Sequence, residues 1–88
     1  MDKYTLYTTT EECGEVTQEL MKVLRFGLDQ TNPDTGVSNK FNLEKEIGQL
    51  QYCLHKTIRE LGLNNVAIQD SYDKKMTTWA KWKAYYDR

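Results

Sequence analysis

The chain has 88 residues, which suits one small domain near the lower limit for a self-sufficient core. Hydrophobic residues make up 39%, charged residues 28% and the net charge is -1, so no basic field marks nucleic acid as the main partner. No apolar run approaches the roughly 18 residues of a membrane span, the N-terminus has no signal-peptide pattern, and two cysteines are too few for a disulfide scaffold or zinc site, so a reducing, cytoplasmic setting is expected.

The first helical block is predicted over residues 10–26. At about 100° per residue, Cys13, Val16, Leu20, Val23 and Leu24 share one face, and Glu12, Glu15, Glu19 and Lys22 share an adjacent stripe. Thr8, Thr9 and Thr10 are candidate N-caps, with Glu11 and Glu12 completing capping boxes. Gly27 is the expected stop, because glycine takes the left-handed C-terminal conformation without a Cβ clash.

A polar loop is predicted over residues 28–40, built on the turn sequence Asn32-Pro33-Asp34-Thr35-Gly36. It is longer than the usual helix–helix connection. Two roles are open for it, a flap over ligand or a tolerated insertion.

The second block is predicted over residues 41–61. Leu43, Ile47, Leu50, Leu54, Ile58 and Leu61 make its apolar face, with Glu46 and Gln49 beside it and Gly62 as its stop. The third block is predicted over residues 68–86, with Asp70 as cap. Tyr72, Met76, Trp79 and Tyr86 line one side, Trp82 sits at its edge, and the lysines face mostly elsewhere. Such an aromatic stripe is more often a core or a dimer interface than a base-stacking platform.

The expected architecture is therefore all-α, a single domain over residues 1–88 with three to four helices per chain. A small polar helical chain has leftover apolar surface, so completion of the bundle by homo-oligomerisation, as a dimer or tetramer, is expected.

The chemistry sits in two pairs. Glu12-x-x-Glu15 puts two carboxylates one turn apart on one face, and Glu46-x-x-Gln49 does the same with a carboxylate and an amide. Antiparallel packing of the first two helices on their apolar faces would let the pairs converge. Carboxylates at that spacing on facing helices supply the oxygen ligands that Mg²⁺ wants, and metal relieves their mutual repulsion. Lys22 and Arg25 lie further along and suit outer phosphates. Tyr52, on the polar side of the second helix, is placed to stack on a base. Against this stands the ordinary case, in which glutamates on a helix are a solvated face and Glu19 and Lys22 form a surface pair.

Three segments carry a resemblance: Glu11-Glu12-Cys13-Gly14-Glu15-Val16, Leu24-Arg25-Phe26-Gly27, and Asn42-Leu43-Glu44-Lys45-Glu46-Ile47-Gly48-Gln49-Leu50. In this order, over roughly residues 10–63, the chain resembles the MazG-like all-α nucleotide pyrophosphohydrolases, and more narrowly their short phage versions. The resemblance implies a MazG-like helical bundle that hydrolyses nucleoside triphosphates to monophosphate and pyrophosphate. It also implies Mg²⁺ (or Mn²⁺) held by an E-x-x-E and an E-x-x-D motif. Carried over, Glu12, Glu15 and Glu46 are catalytic and metal-binding, and Gln49 stands where the family has aspartate. Lys22, Arg25, Gln49 and Tyr52 would bind substrate.

The amide leaves two functions open. One is a pyrophosphohydrolase with a weakened metal site. The other is a non-catalytic protein that sequesters or senses a nucleotide-derived signal, in a phage setting a sponge for a host defence messenger.

Overall fold

The computed structural model describes residues 3–88 and contains three helices: α1 (Lys3–Phe26), α2 (Asn39–Leu61) and α3 (Asn65–Tyr86). The all-α expectation holds, with three helices as the outcome. Among the described residues the only β feature is an isolated bridge between Thr31 and Ser38.

The helix starts differ from expectation, each for a local reason. α1 begins at Lys3, not at residue 10, so the three threonines are interior residues rather than caps. The Thr10 hydroxyl donates back to the Leu6 carbonyl (2.8 Å), and the Thr9 hydroxyl turns toward α2. α2 begins at Asn39, two residues earlier than predicted, because Ser38 caps it by accepting from the Phe41 N–H (3.1 Å). α3 begins at Asn65 because Asn64 accepts from the N–H groups of Val66 and Ala67; Asp70 lies inside the helix and caps nothing. The stops fall as predicted. Gly27 and Gly62 both have positive φ, 91° and 62°, where a Cβ would be strained.

The loop folds back on itself. Asn32 N–H bonds the Val37 carbonyl, Asn39 N–H the Gln30 carbonyl and Lys40 N–H the Leu28 carbonyl, each at 2.9 Å. The buried Asn39 side chain donates to the Gly27 carbonyl (3.0 Å). These bonds turn the chain through a half-circle, so α1 and α2 run antiparallel.

The two helices meet on one edge of their predicted apolar faces, with Val16, Val23, Leu43 and Leu50 in the contact and the other leucines left outside it. The side chains of α1 that turn toward α2 are Thr5, Thr9, Glu12, Val16, Glu19 and Val23, at alternating spacings of four and three. Those of α2 are Asn39, Leu43, Glu46, Leu50, Cys53 and Thr57, with the same spacings. This is the seam of a coiled coil, in which a repeat averaging 3.5 residues keeps one edge of each helix on its partner. Its side chains are mostly polar. Thr9 and Thr57 share a hydroxyl–hydroxyl bond of 2.8 Å, and Thr9 also donates to the Cys53 carbonyl (3.3 Å).

Among the described residues no hydrophobic side chain is fully buried; the buried ones are Thr5, Thr9, Glu19, Asn39 and Glu46. Cys13, Leu20, Leu24, Ile47, Leu54 and Leu61 are exposed instead, Leu24 by 78%. Relative to the seam, these residues are rotated in the same sense on both helices. In an antiparallel pair that rotation brings them to one side of the hairpin. Glu15, Lys22, Gln49 and Tyr52 are rotated the other way and share the opposite side.

α3 has only marginal contact with the hairpin. The molecule measures 43 × 39 × 14 Å, with a radius of gyration of 16.1 Å; a compact chain of this length would have about 12 Å. Its accessible surface, 7430 Å², exceeds by about 2,000 Å² the roughly 5,400 Å² of a compact monomer of this mass. No helix among the described residues is long and apolar enough to cross a membrane.

The Ser38 cap is a direct test of this hairpin. Ser38→Ala removes the acceptor for the Phe41 N–H and is expected to destabilise by about 1 kcal/mol. A thermal melt should then fall by roughly 4–8 °C. An unchanged midpoint would show that the cap contributes nothing to the closure between α1 and α2.

Candidate functional site

The seam brings three of the four paired residues together and leaves Glu15 outside the contact. Glu12 on α1 and Glu46 on α2 face each other across it, and Gln49 stands between them. With its amide turned to satisfy both neighbours, the Gln49 nitrogen donates to Glu46 Oε2 at 3.1 Å and to Glu12 Oε2 at 3.2 Å. An ionised aspartate in this position could donate to neither. The amide therefore ties two carboxylates that would otherwise repel.

Glu46 is only 9% exposed. Lys45 Nζ approaches its other oxygen at 3.8 Å, a loose ion pair with the lysine half in solvent. The Glu12 carboxyl titrates above the ordinary glutamate value. Desolvation in the seam is the largest cause, followed by the hydrogen bond with Glu46 and the negative charges of Glu46, Glu15 and Glu11. Glu15 is exposed one turn along on the same side.

Glu19 is a residue that the sequence reading passed over as a surface pair. Its Lys22 partner is there, with Nζ donating to Oε1 at 3.1 Å, but Glu19 itself is 6% exposed. Its second oxygen is buried and has no hydrogen-bond partner. The signal was the four-three spacing Thr5–Thr9–Glu12–Val16–Glu19–Val23, which places Glu19 in the seam. A search for apolar periodicity misses it because the seam residues are mostly polar.

Three cavities open on the polar side of the hairpin. The widest, about 550 Å³, is shallow and is lined by Glu12, Glu44, Lys45, Gly48, Gln49, Tyr52 and Cys53. Toward the open end of the hairpin, a second of about 400 Å³ shares Tyr52 and Cys53 and adds Thr8, Thr9, Lys56 and Glu60. At the loop end, a third of about 230 Å³ lies between Lys22, Phe26, Gln30, Asn39 and Asn42. Tyr52 thus borders two cavities with its ring exposed, and Lys22 reaches the third. Arg25 lines none of these three. Two positions beyond the seam residue Val23, it lies roughly 200° around α1, on the side away from α2.

The donor set bears on a metal. Among the described residues no three His, Cys, Asp or Glu side chains gather closely enough to hold an ion by themselves. Two facing carboxylates with a neighbouring amide do suit Mg²⁺, which usually keeps several waters and takes one or two carboxylates together with substrate phosphates. The residues that would hold it are Glu12 and Glu46, with Glu15 alongside and the Gln49 carbonyl turned inward.

Comparison of the chain with protein-family models, with curated proteins and with solved structures finds no match.

Two outcomes follow from the raised Glu12 carboxyl. The folded chain binds this proton more tightly than the unfolded chain, so without metal its stability falls as pH rises from the ordinary glutamate range through the raised value. Glu12→Gln should flatten that part of a pH series of thermal melts and raise the midpoint at neutral pH. A Glu12→Gln chain with the wild-type pH dependence would show that the Glu12 carboxyl is not the group responsible for it. Any Mg²⁺ bound at Glu12 would stabilise less as pH drops through the same window, because proton and cation would compete for one carboxylate.

Proposed function

We propose that the chain is a nucleotide-binding domain of the MazG-like kind, which takes the phosphate chain of a nucleotide on the polar side of the hairpin. The observation that carries this reading is the Glu12–Gln49–Glu46 arrangement, in which paired carboxylates from two helices meet beside an open cavity. Two of the three segments resembling that family meet in it, and the third lies at the loop end of α1. Glu12-x-x-Glu15 supplies one wall, Glu46-x-x-Gln49 the other, and Arg-Phe-Gly ends α1.

In the enzymatic form of the reading, Glu12 and Glu46 would hold Mg²⁺ (or Mn²⁺) from either side of the seam, and the ion would supply charge neutralisation on the phosphates and a more acidic water. Glu15, exposed and adjacent, accepts the proton of the attacking water. The water oxygen bonds to the α-phosphorus, the bond to the bridging oxygen breaks, and pyrophosphate leaves with a monophosphate as the other product. Lys22 turns from Glu19 toward the phosphates, where its ammonium offsets the developing charge. Tyr52 offers its ring to the base.

A second reading has its own support. Gln49 already donates to both carboxylates, so the site is held closed by a neutral group where the family pattern has a charged one. One anionic ligand fewer weakens a metal site and the positioning of its water. In this reading the domain binds a nucleotide or nucleotide-derived messenger intact and sequesters it. In either reading the working unit is a homo-oligomer, a dimer or tetramer, because the lone chain buries no hydrophobic side chain among its described residues.

Incubation with a panel of nucleoside triphosphates and Mg²⁺ or Mn²⁺ separates the readings. The enzyme releases pyrophosphate, and Glu15→Gln lowers the rate by about 10²–10⁴-fold, the usual contribution of a positioned base. The sequestering protein yields intact ligand and no pyrophosphate. Gln49→Asp should lower the melting temperature without metal, since it adds a third negative charge. Mg²⁺ should restore it more strongly than in the wild type, and hydrolysis should rise. Absence of both ligand binding and turnover across the panel would refute nucleotide recognition at this site.

A further inference from the structure

Two apolar surfaces of this chain have nothing against them among the described residues. One is the side of the hairpin formed by Cys13, Leu20, Leu24, Ile47, Leu54 and Leu61, away from the carboxylates. The other is the stripe on α3 formed by Ile68, Tyr72, Met76, Trp79, Trp82 and Tyr86, all within about 60° of one line along the helix. Trp79 is 62% exposed and Trp82 56%.

Within one chain a short link joins α2 to α3 and the two surfaces stay apart. It is Gly62-Leu63-Asn64, and both of its ends are capped. The Gly62 N–H bonds the Arg59 carbonyl, the Leu63 N–H bonds the Ile58 carbonyl (3.0 Å), and Asn64 accepts from Val66 and Ala67. Across this link α3 leaves its own hairpin with only marginal contact to it. The radius of gyration of 16.1 Å records the result.

Charge favours the same pairing. From residue 65 onward the chain carries five basic and three acidic side chains, and the preceding part carries seven basic and ten acidic. Lys75 and Lys83 flank the aromatic stripe and line a cavity with Trp79, Trp82 and Tyr86; this departs from the expectation that the lysines face elsewhere. Two copies of α3 laid together would bring these lysines into repulsion, whereas the leucine-rich side of a hairpin presents no such cluster of like charge.

We infer that α3 is an exchanged helix: its aromatic stripe docks on the apolar side of the hairpin of a second copy of this chain, and the second copy's α3 docks in return. The exchange is isologous, so both apolar surfaces of both copies are covered in a single twofold interface. The area agrees. The excess exposed surface is about 2,000 Å² per copy, or about 4,000 Å² for the pair, within the roughly 2,000–5,000 Å² of obligate homodimers. The carboxylate side of each hairpin stays open, so the inference stands independently of what that side binds.

The full-length chain should sediment as a dimer, with tryptophan emission shifted to the blue of an exposed indole. Leu54→Asp lies in the hairpin, and Trp79→Asp lies on a helix with only marginal contact to its own hairpin. Each should raise the dimer dissociation constant at least roughly 30-fold, as loss of a central anchor does. Leu54→Asp should also shift the emission of the distant tryptophans to the red. Trp79→Asp leaves the hairpin contacts within its chain untouched, so its helical circular dichroism reports dissociation without unfolding. Mixing the two variants should recover dimer, because one of the two exchanged contacts is then intact. A monomer with buried tryptophans would mean that α3 folds back on its own hairpin. A dimer that mixing does not recover would mean that like surfaces pair. Either result overturns the exchange.

Discussion

Everything in this chain depends on the contact between α1 and α2, and that contact is polar. Thr9 bonds Thr57, Gln49 ties Glu12 to Glu46, and Glu19 is buried with one oxygen unpartnered. A seam of this kind contributes geometry more than stability. Buried polar groups exchange water partners for protein partners at small net gain, and an unsatisfied one is a liability. The apolar stabilisation that normally drives helix association is displaced to the outer side of the hairpin. Holding acidic groups in the seam and leaving leucines outside are thus two aspects of one arrangement.

The arrangement also explains why a neutral residue at position 49 is chemically sensible. Glu12 is already reluctant to ionise because of burial and its acidic neighbours. A further aspartate would have to be stabilised by a cation at all times, whereas the glutamine amide stabilises the pair through two hydrogen bonds of its own. The site is therefore organised before any ligand arrives. The same bonds must rearrange if the Gln49 carbonyl is to face a metal, which links ligand chemistry to the orientation of one amide.

The sequence made some of this legible and concealed the rest for definite reasons. The helical class and the glycine stops at Gly27 and Gly62 followed from periodicity and spacing, whereas the convergence of Glu12 with Glu46 was expected from packing on the apolar faces and occurs in a mostly polar seam instead. The start of α1 did not follow, because three consecutive threonines read as caps and their role as seam residues depends on α2 lying beside them. The packing face was misjudged for a related reason. Leucine periodicity identifies the surface that seeks burial, and here only one edge of that surface faces the neighbouring helix. Burial of Glu19 was hidden by an adjacent lysine at surface-pair spacing, which is equally compatible with a carboxylate turned inward.

The loop between Gly27 and Ser38 has a consequence for how the chain acquires its shape. Its backbone bonds, the Thr31–Ser38 bridge and the Asn39 bond to Gly27 all join residues close in sequence. Once that turn has formed, each later contact of the seam is the next step of a zipper running from Val23 and Asn39 toward Thr9 and Thr57, with little further loop entropy to lose. Local closure of this kind belongs to the fast end of folding. The carboxylate site lies partway along the zipper, so it is assembled after the turn and before the open end is sealed.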